Sequence, residues 1–204
     1  MAVTELAVLR LKPGVSVADD AELRTQLRFA KDTMEAYSRH PFYFLQDEDD
    51  SEVLYIVGGW ESAEFHKDSF VPSPENAEQI RRLQDKLNRV ETMYHVEIAP
   101  PAISDASPIV SIGRYYIYKD KLAEFRQAID NSIQRIKQVA YPYKVSGGYS
   151  IDNPSCTKYN EFVLFSGWND LKNQHGHLPG FDREDRYKTL LSNFTINNAT
   201  PIRL

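Results

Sequence analysis

Two stretches of this chain follow one pattern, and a pattern met twice limits the folds open to it. Leu54-Tyr55-Ile56-Val57-Gly58-Gly59-Trp60-Glu61-Ser62 and Phe162-Val163-Leu164-Phe165-Ser166-Gly167-Trp168-Asn169-Asp170 each run four apolar residues, a small residue, glycine, tryptophan and two polar residues. A short apolar run stopped by glycine suits a strand buried on both faces. A histidine follows each tryptophan within seven residues, His66 and His175.

The surroundings repeat as well. Strand-like segments at 4–11 and 109–118 open the two halves. An amphipathic helix follows each. Leu23, Leu27, Ala30, Met34 and Tyr37 share one helical face in the first, with Asp19 or Asp20 placed to cap it. Leu122, Phe125, Ile129, Ile133, Ile136 and Ala140 do so in the second, with Asp120 as the cap. Short strands at 42–46 and 145–151 come next, then the strand ending in Gly-Trp. A second helix and a final strand, at 91–98 and 194–202, complete each half. The first of these helices is expected to start with Ser73 as cap and Pro74 in the first turn, and to carry a stripe of Ala77, Ile80, Leu83, Leu87 and Val90. Its counterpart is expected at about 183–193. Prolines and small residues mark a boundary between the halves.

The expected class is therefore α+β. Residues 1–99 and 109–204 read as two ferredoxin-like β-α-β-β-α-β repeats, with 100–108 as linker. A sheet covered by helices on one face must bury the other. The second repeat is the natural partner, closing an intramolecular dimeric α+β barrel. Two independent domains are the alternative, for which the short, proline-rich linker is poorly suited.

A net charge of −5 and the lack of any dense Lys/Arg tract argue against a nucleic-acid partner. The acidic run Asp47-Glu48-Asp49-Asp50-Ser51-Glu52 reads as a solvated turn and lacks the ligand spacing of a calcium loop. Cys156 is the sole cysteine, so no intramolecular disulfide is expected; with only Lys158 as a basic neighbour, its thiol reads as inert. No signal peptide and no apolar run near the roughly 18 residues of a membrane span are found. A cytoplasmic protein without a membrane partner is expected. The glycine-rich dinucleotide, P-loop and nucleophile-elbow signatures are missing too.

The run Gly59-Trp60-Glu61-Ser62-Ala63-Glu64-Phe65-His66, closing a strand within such a unit, resembles the antibiotic biosynthesis monooxygenase-like members of the dimeric α+β barrel superfamily. The resemblance covers both halves. In the second the Trp-to-His spacing is one residue longer and His175-Gly176-His177 appears. It implies a pocket in each half, between the sheet and its own helices. It also implies a small-molecule enzyme of secondary metabolism, oxidising aromatic polyketide-type substrates without a cofactor. Two alternatives stay open. One is a cyclase or isomerase working by acid–base chemistry without O₂. The other is a non-catalytic barrel holding a hydrophobic ligand or heme. The partner is a small hydrophobic or aromatic ligand, and a homodimer of the tandem unit is a further option.

Trp60 and His66 match the family's pocket positions: a flat wall for an aromatic ligand, and a base or hydrogen-bond partner for a phenolic proton. A tyrosine or Arg114 is the candidate anion stabiliser. Trp168, His175, His177, Tyr37, Phe42, Phe44, Tyr94, Tyr116, Tyr118 and Tyr143 are the candidate ligand contacts, because phenols and imidazoles facing an apolar cavity suit a conjugated, oxygenated ligand. His95 neighbours Tyr94 on the same strand. His175 and His177 lack a third ligand at convincing spacing, so no metal is assigned. Each has a plainer alternative: Trp60 as a core plug, His66 as a satisfied helix-end residue, the aromatics as sheet packing, and the His-Gly-His segment as a surface loop.

Overall fold

The strand that opens the chain, β1 (Val3–Leu11), pairs antiparallel with β3 (Val53–Trp60) on one side and β4 (Leu87–Val96) on the other. The computed structural model describes residues 1–152, 158–172 and 185–204. Between β1 and β3 lie α1 (Ala21–Ser38) and β2 (Phe42–Asp47). A short helix, α2 (Ala63–Phe65), runs into a π-helical turn (His66–Phe70), and α3 (Pro74–Leu83) precedes β4. The second half runs β5 (Ile109–Tyr118), α4 (Leu122–Ala140), β6 (Val145–Tyr149), β7 (Tyr159–Trp168), α5 (Asp185–Lys188) and β8 (Leu191–Pro201).

The eight strands among the described residues form one sheet in the order β4-β1-β3-β2-β8-β5-β7-β6. Two seams join the halves. At one, β2 pairs with β8, Asp47 lying opposite Ala199, and the Glu48 N–H donates to the Asn198 carbonyl. At the other, Val96 bridges Ser150, and the Ile151 N–H donates to the His95 carbonyl. The second seam brings the ends of the sheet together and closes a barrel. The registers correspond when counted from each tryptophan. Val3 pairs with Trp60, and Glu5 lies between Gly58 and His95. Ile109 pairs with Trp168, and Ser111 lies between Ser166 and Asn198.

Strand alternation sorts β1 into two faces. Val3, Ala7, Leu9 and Leu11 turn to α1 and α3, packing with Leu23, Leu27, Ala30, Met34 and Trp60. Leu6 and Val8 turn into the barrel, which is filled by Tyr55, Val57, Tyr94, Val96, Val110, Ile112, Val163 and Phe165. A third cluster, around Tyr115, Phe125, Ile129, Phe162 and Trp168, lies between the second half's strands and α4. Space for a ligand therefore lies outside the barrel, under the helices. Ala102 and Ile103, between the halves, are buried in the barrel cluster, so this segment is packed against the core.

Caps explain several boundaries. Asp20 accepts from the Leu23 N–H and Ser73 from the Asn76 N–H. Asp120 does not cap α4: it sits in a 3-10 turn (Lys119–Lys121), and the helix starts at Leu122 without a side-chain cap. The stripe assigned to α3 also ends early. The helix stops at Leu83, Lys86 is held by Asp20 and Glu22, and Leu87 and Val90 belong to β4. Pairing with β1 outweighs the helical spacing there. At the other end of the chain α5 gives way to β8 at Leu191, within the stretch expected to be helical. In the acidic run, Asp47 is buried and accepts from the Tyr55 hydroxyl at 2.6 Å, whereas Asp50 pairs with Arg10 across the turn. No helix among the described residues is long and apolar enough to cross a membrane.

Candidate active site

A cavity of about 370 Å³ opens between the sheet of the first half and α1 and α3. Ala7, Leu9, Met34, Ile56, Phe70 and Leu83 make most of its wall apolar. Glu5, His66 and Gln79 bring polar atoms to it. Val71, Ile80, Val90 and Met93, all lining residues, are well exposed and make an apolar rim.

Glu5 stands on the helix-facing side of β1, where its neighbours are apolar, and is 3 % exposed. The Trp60 indole donates from Nε1 to Glu5 Oε2 at 2.6 Å. Burial pushes the Glu5 carboxyl up to about 7; the Trp60 bond opposes this and the charge of Asp152 adds to it. The acid is therefore poised between its two forms near neutral pH.

His66 begins the π-helical turn. Ser62 caps the turn before it, and the Val71 N–H reaches back to the His66 carbonyl. Such wide turns recur at functional sites. The imidazole stacks on the Trp60 ring, with centroids 4.2 Å apart and planes within 9°. Its Nδ1 lies 2.8 Å from His95 Nε2 and 3.7 Å from Glu5 Oε2, the latter too far for a hydrogen bond. Burial drives the imidazolium down to about 3, and charge on His95 pushes the same way against the pull of Asp152. His66 is neutral at pH 7.

His95 comes from β4 and is 1 % exposed. Its main-chain N–H donates to Asp152 Oδ1 at 2.7 Å, and its Nδ1 lies 2.8 Å from Asp152 Oδ2. Lys67 pairs with the same carboxylate. Burial alone would raise Asp152; the bonds from the His95 main chain, Lys67 and the His95 ring outweigh it and hold the carboxyl below its ordinary value. Asp152 follows β6, so the second half supplies the outermost member of a cluster in the first.

The residues singled out from sequence fall into three groups. Trp60, His66, Phe42, Phe44 and Tyr37 gather around the first-half site. Phe44 lines the cavity; Phe42 packs edge-on against Trp60, and the Tyr37 hydroxyl donates to the Ser69 carbonyl. Trp60 lies behind His66 and does not line the cavity itself. Arg114, Tyr94 and Tyr116 meet on the barrel side instead. Arg114 Nε donates to Glu161 Oε1 at 2.7 Å, the Tyr94 hydroxyl donates to the same oxygen at 2.9 Å, and the guanidinium lies over the Tyr94 and Tyr116 rings. In the second half, Trp168 Nε1 donates to Ser166 Oγ at 3.0 Å, Tyr118 stacks edge-on with Tyr159, and Tyr143 lies beside Asn169. His175, His177 and Cys156 lie outside the described residues.

Sequence reasoning passed over Glu5 and Asp152, and gave His95 no role. Glu5 had a signal, a carboxylate on the otherwise apolar face of a strand. Asp152 had none, because it meets His95 across 57 residues at a seam. Among the described residues, no cluster of three or more His, Cys, Asp or Glu is arranged to hold a metal ion.

No family model matches the chain, and no curated protein matches it in sequence. Solved structures do. A monooxygenase candidate from Fusobacterium nucleatum subsp. nucleatum superposes with a TM-score of 0.71 at 9 % identity, covering 99 % of this chain and 93 % of that one. An anthrone oxidase-like protein gives 0.67 at 9 %, covering 99 % and 92 %. A chlorite dismutase variant from Candidatus Nitrospira defluvii, in complex with cyanide, gives 0.62 at 12 %, covering 99 % and 91 %. At such identities the likeness is one of fold: the chain shares the chlorite dismutase-like, dimeric α+β barrel fold with these proteins.

Proposed function

We propose that the first half houses the active centre of a monooxygenase-like enzyme that oxidises an oxygenated aromatic substrate with O₂ and no cofactor. One observation carries the reading: Glu5 and His66, two proton-transfer groups with displaced pKa values, face one apolar cavity. The cavity suits a planar, conjugated molecule. Gln79 Oε1, buried and without a hydrogen-bond partner among the described residues, supplies an acceptor for a ligand hydroxyl.

In the proposed reaction His66 Nε2 removes a proton from the activated carbon or phenol. Protonated Glu5 donates to the oxygen on which negative charge builds. The apolar wall keeps water away while the carbanion or phenolate gives electrons to O₂. For an anthrone, one oxygen atom enters the product quinone and the other leaves as water. Arg114, engaged by Glu161 on the barrel side, has no part in this scheme.

The same acid–base pair would also serve a cyclase or isomerase, since both groups move protons without oxygen. We further propose that 1–99 and 109–204 are copies of one ancestral unit, on the strength of their matched registers and seams. Purified protein incubated with a hydroxyanthrone in air should speed quinone formation. The same incubation without oxygen should yield none. No acceleration across a panel of such phenols removes the oxidation reading, and turnover of a cyclisable substrate under nitrogen replaces it with the alternative.

A further inference from the structure

We propose that His66, His95 and Asp152 form a proton relay assembled across the two halves, in which Asp152 and His95 set the tautomer of His66 and take over the charge it acquires. The inference rests on the reading that this cavity is a site of proton transfer.

Asp152 meets His95 through both of its carboxylate oxygens. Its Oδ1 is engaged by the His95 main chain and its Oδ2 faces His95 Nδ1. An ionised carboxylate can only accept, so His95 carries its proton on Nδ1. With its ring neutral, His95 then has a lone pair on Nε2. It faces His66 Nδ1 at 2.8 Å, which must be the donor of that pair. The proton of neutral His66 is thereby fixed on Nδ1, leaving Nε2 as a base. Among the described residues Nε2 meets no hydrogen-bond partner, and His66 borders the cavity. Two links of fixed polarity thus carry the orientation of one carboxylate to the substrate side.

The relay answers a difficulty in the site. An imidazole buried as His66 is resists becoming a cation, so by itself it is a feeble base. When Nε2 accepts the substrate's proton, the proton on Nδ1 passes to His95 Nε2. His66 ends neutral, and His95 becomes the cation, its Nδ1–H still bonded to Asp152. One proton leaves the substrate, one is gained by the pair of rings, and the new positive charge lies against an existing negative one. Reversal returns the proton to the product. Lys67, paired with Asp152, keeps that carboxylate ionised.

Among the described residues, the corresponding positions around Trp168 hold no such relay. Counted from the tryptophan, Asn198 stands where His95 does and Ser111 where Glu5 does; they bond each other, Ser111 Oγ to Asn198 Oδ1 at 2.9 Å.

Imidazole ¹⁵N NMR of the full chain, without substrate, tests the relay directly. His66 and His95 should both appear as neutral rings protonated at Nδ1. Asp152→Asn should move the His95 proton to Nε2 and, in consequence, that of His66 to Nε2, because an amide can donate to Nδ1 and so reverses both links. Turnover of a hydroxyanthrone should fall by about 10³-fold in kcat with KM little changed, and Asp152→Glu should restore part of it. A wild-type His66 protonated at Nε2 overturns the proposal, as does an Asp152→Asn protein whose tautomers are unchanged. Should Asp152→Asn not fold, the wild-type tautomers alone decide. Tautomers as expected with no oxidation of any anthrone would sink the oxidase reading and leave the relay standing.

Discussion

Trp60 and Trp168 end corresponding strands and are equally buried, yet their indole N–H groups meet different partners. One donates to a carboxylate at 2.6 Å, the other to a serine hydroxyl at 3.0 Å. Around Trp60 stand Glu5, Gly58 and His95; at the same register around Trp168 stand Ser111, Ser166 and Asn198. Volume differs too. Leu9 borders the first-half cavity, whereas Tyr115, its counterpart, is fully buried among Phe125 and Phe194. The comparison separates scaffold from chemistry. Both halves have the strand, the glycine and the tryptophan; among the described residues, Glu5 and His66 border an apolar cavity, while the positions matching Glu5 and His95 hold Ser111 and Asn198.

The sharpest way to break this contrast is to erase it. Replacing Glu5 by Ser and His95 by Asn gives the first half the polar pair of the second. Turnover of a hydroxyanthrone should drop by about 10³-fold, or about 4 kcal/mol in the barrier. Ser111→Ala should leave the rate where it was. Equal losses from both changes would show that the second half takes part in the chemistry.

Next in size is a pH effect on stability. The folded carboxyl of Glu5 lies near 7, above its ordinary value of 4.5. Its protonated form is thus favoured by folding, so the contribution is full below the unfolded value and is lost as pH rises through about 7. At about 1.4 kcal/mol per pH unit, the swing is on the order of 3 kcal/mol. Urea unfolding at pH 5 and pH 8 should show Glu5→Gln gaining on the wild type at the higher pH by about that amount. A difference independent of pH would place the Glu5 charge elsewhere. No such swing is expected from Ser111→Ala.

The smallest effect concerns fit. A Cβ on Gly58 would lie 2.0 Å from the Phe42 ring, and the matching pair in the second half is Ser166 with Val145. Gly58→Ser should cost about 2 kcal/mol by overpacking. Adding Phe42→Val should return part of it, a coupling that a double-mutant cycle by thermal or chemical unfolding would read. Strict additivity would mean that the two positions adjust independently.

Much of the frame was legible because it depends on local rules. Alternation and helical spacing located β1, α1, β2, β3, β5, α4 and β7, and Asp20, Ser73 and Pro74 announced the helix starts. Where local spacing and sheet pairing disagreed, at Leu87 and Val90, pairing prevailed. The site was half legible. Trp60 and His66 stand in a recognisable run, and Glu5 interrupts an apolar face. The His95–Asp152 contact depends on where two distant strand ends meet, which no spacing rule encodes. Arg114 shows the converse: its position on β5 was readable, but its partner Glu161 follows only from the β5–β7 register.

The seam at Val96 and Ser150 has a consequence for how such a molecule can vary. In an assembly of two identical chains, every replacement is made twice, and whatever stands at one junction must be tolerated at the other. Here each junction has its own codons. At one, Asp152 grips a histidine; at the other, Asp49, its counterpart by register, donates its main-chain N–H to Asp47 in an acidic bend. Covalent continuity gives this barrel freedom to specialise one junction while the other merely holds.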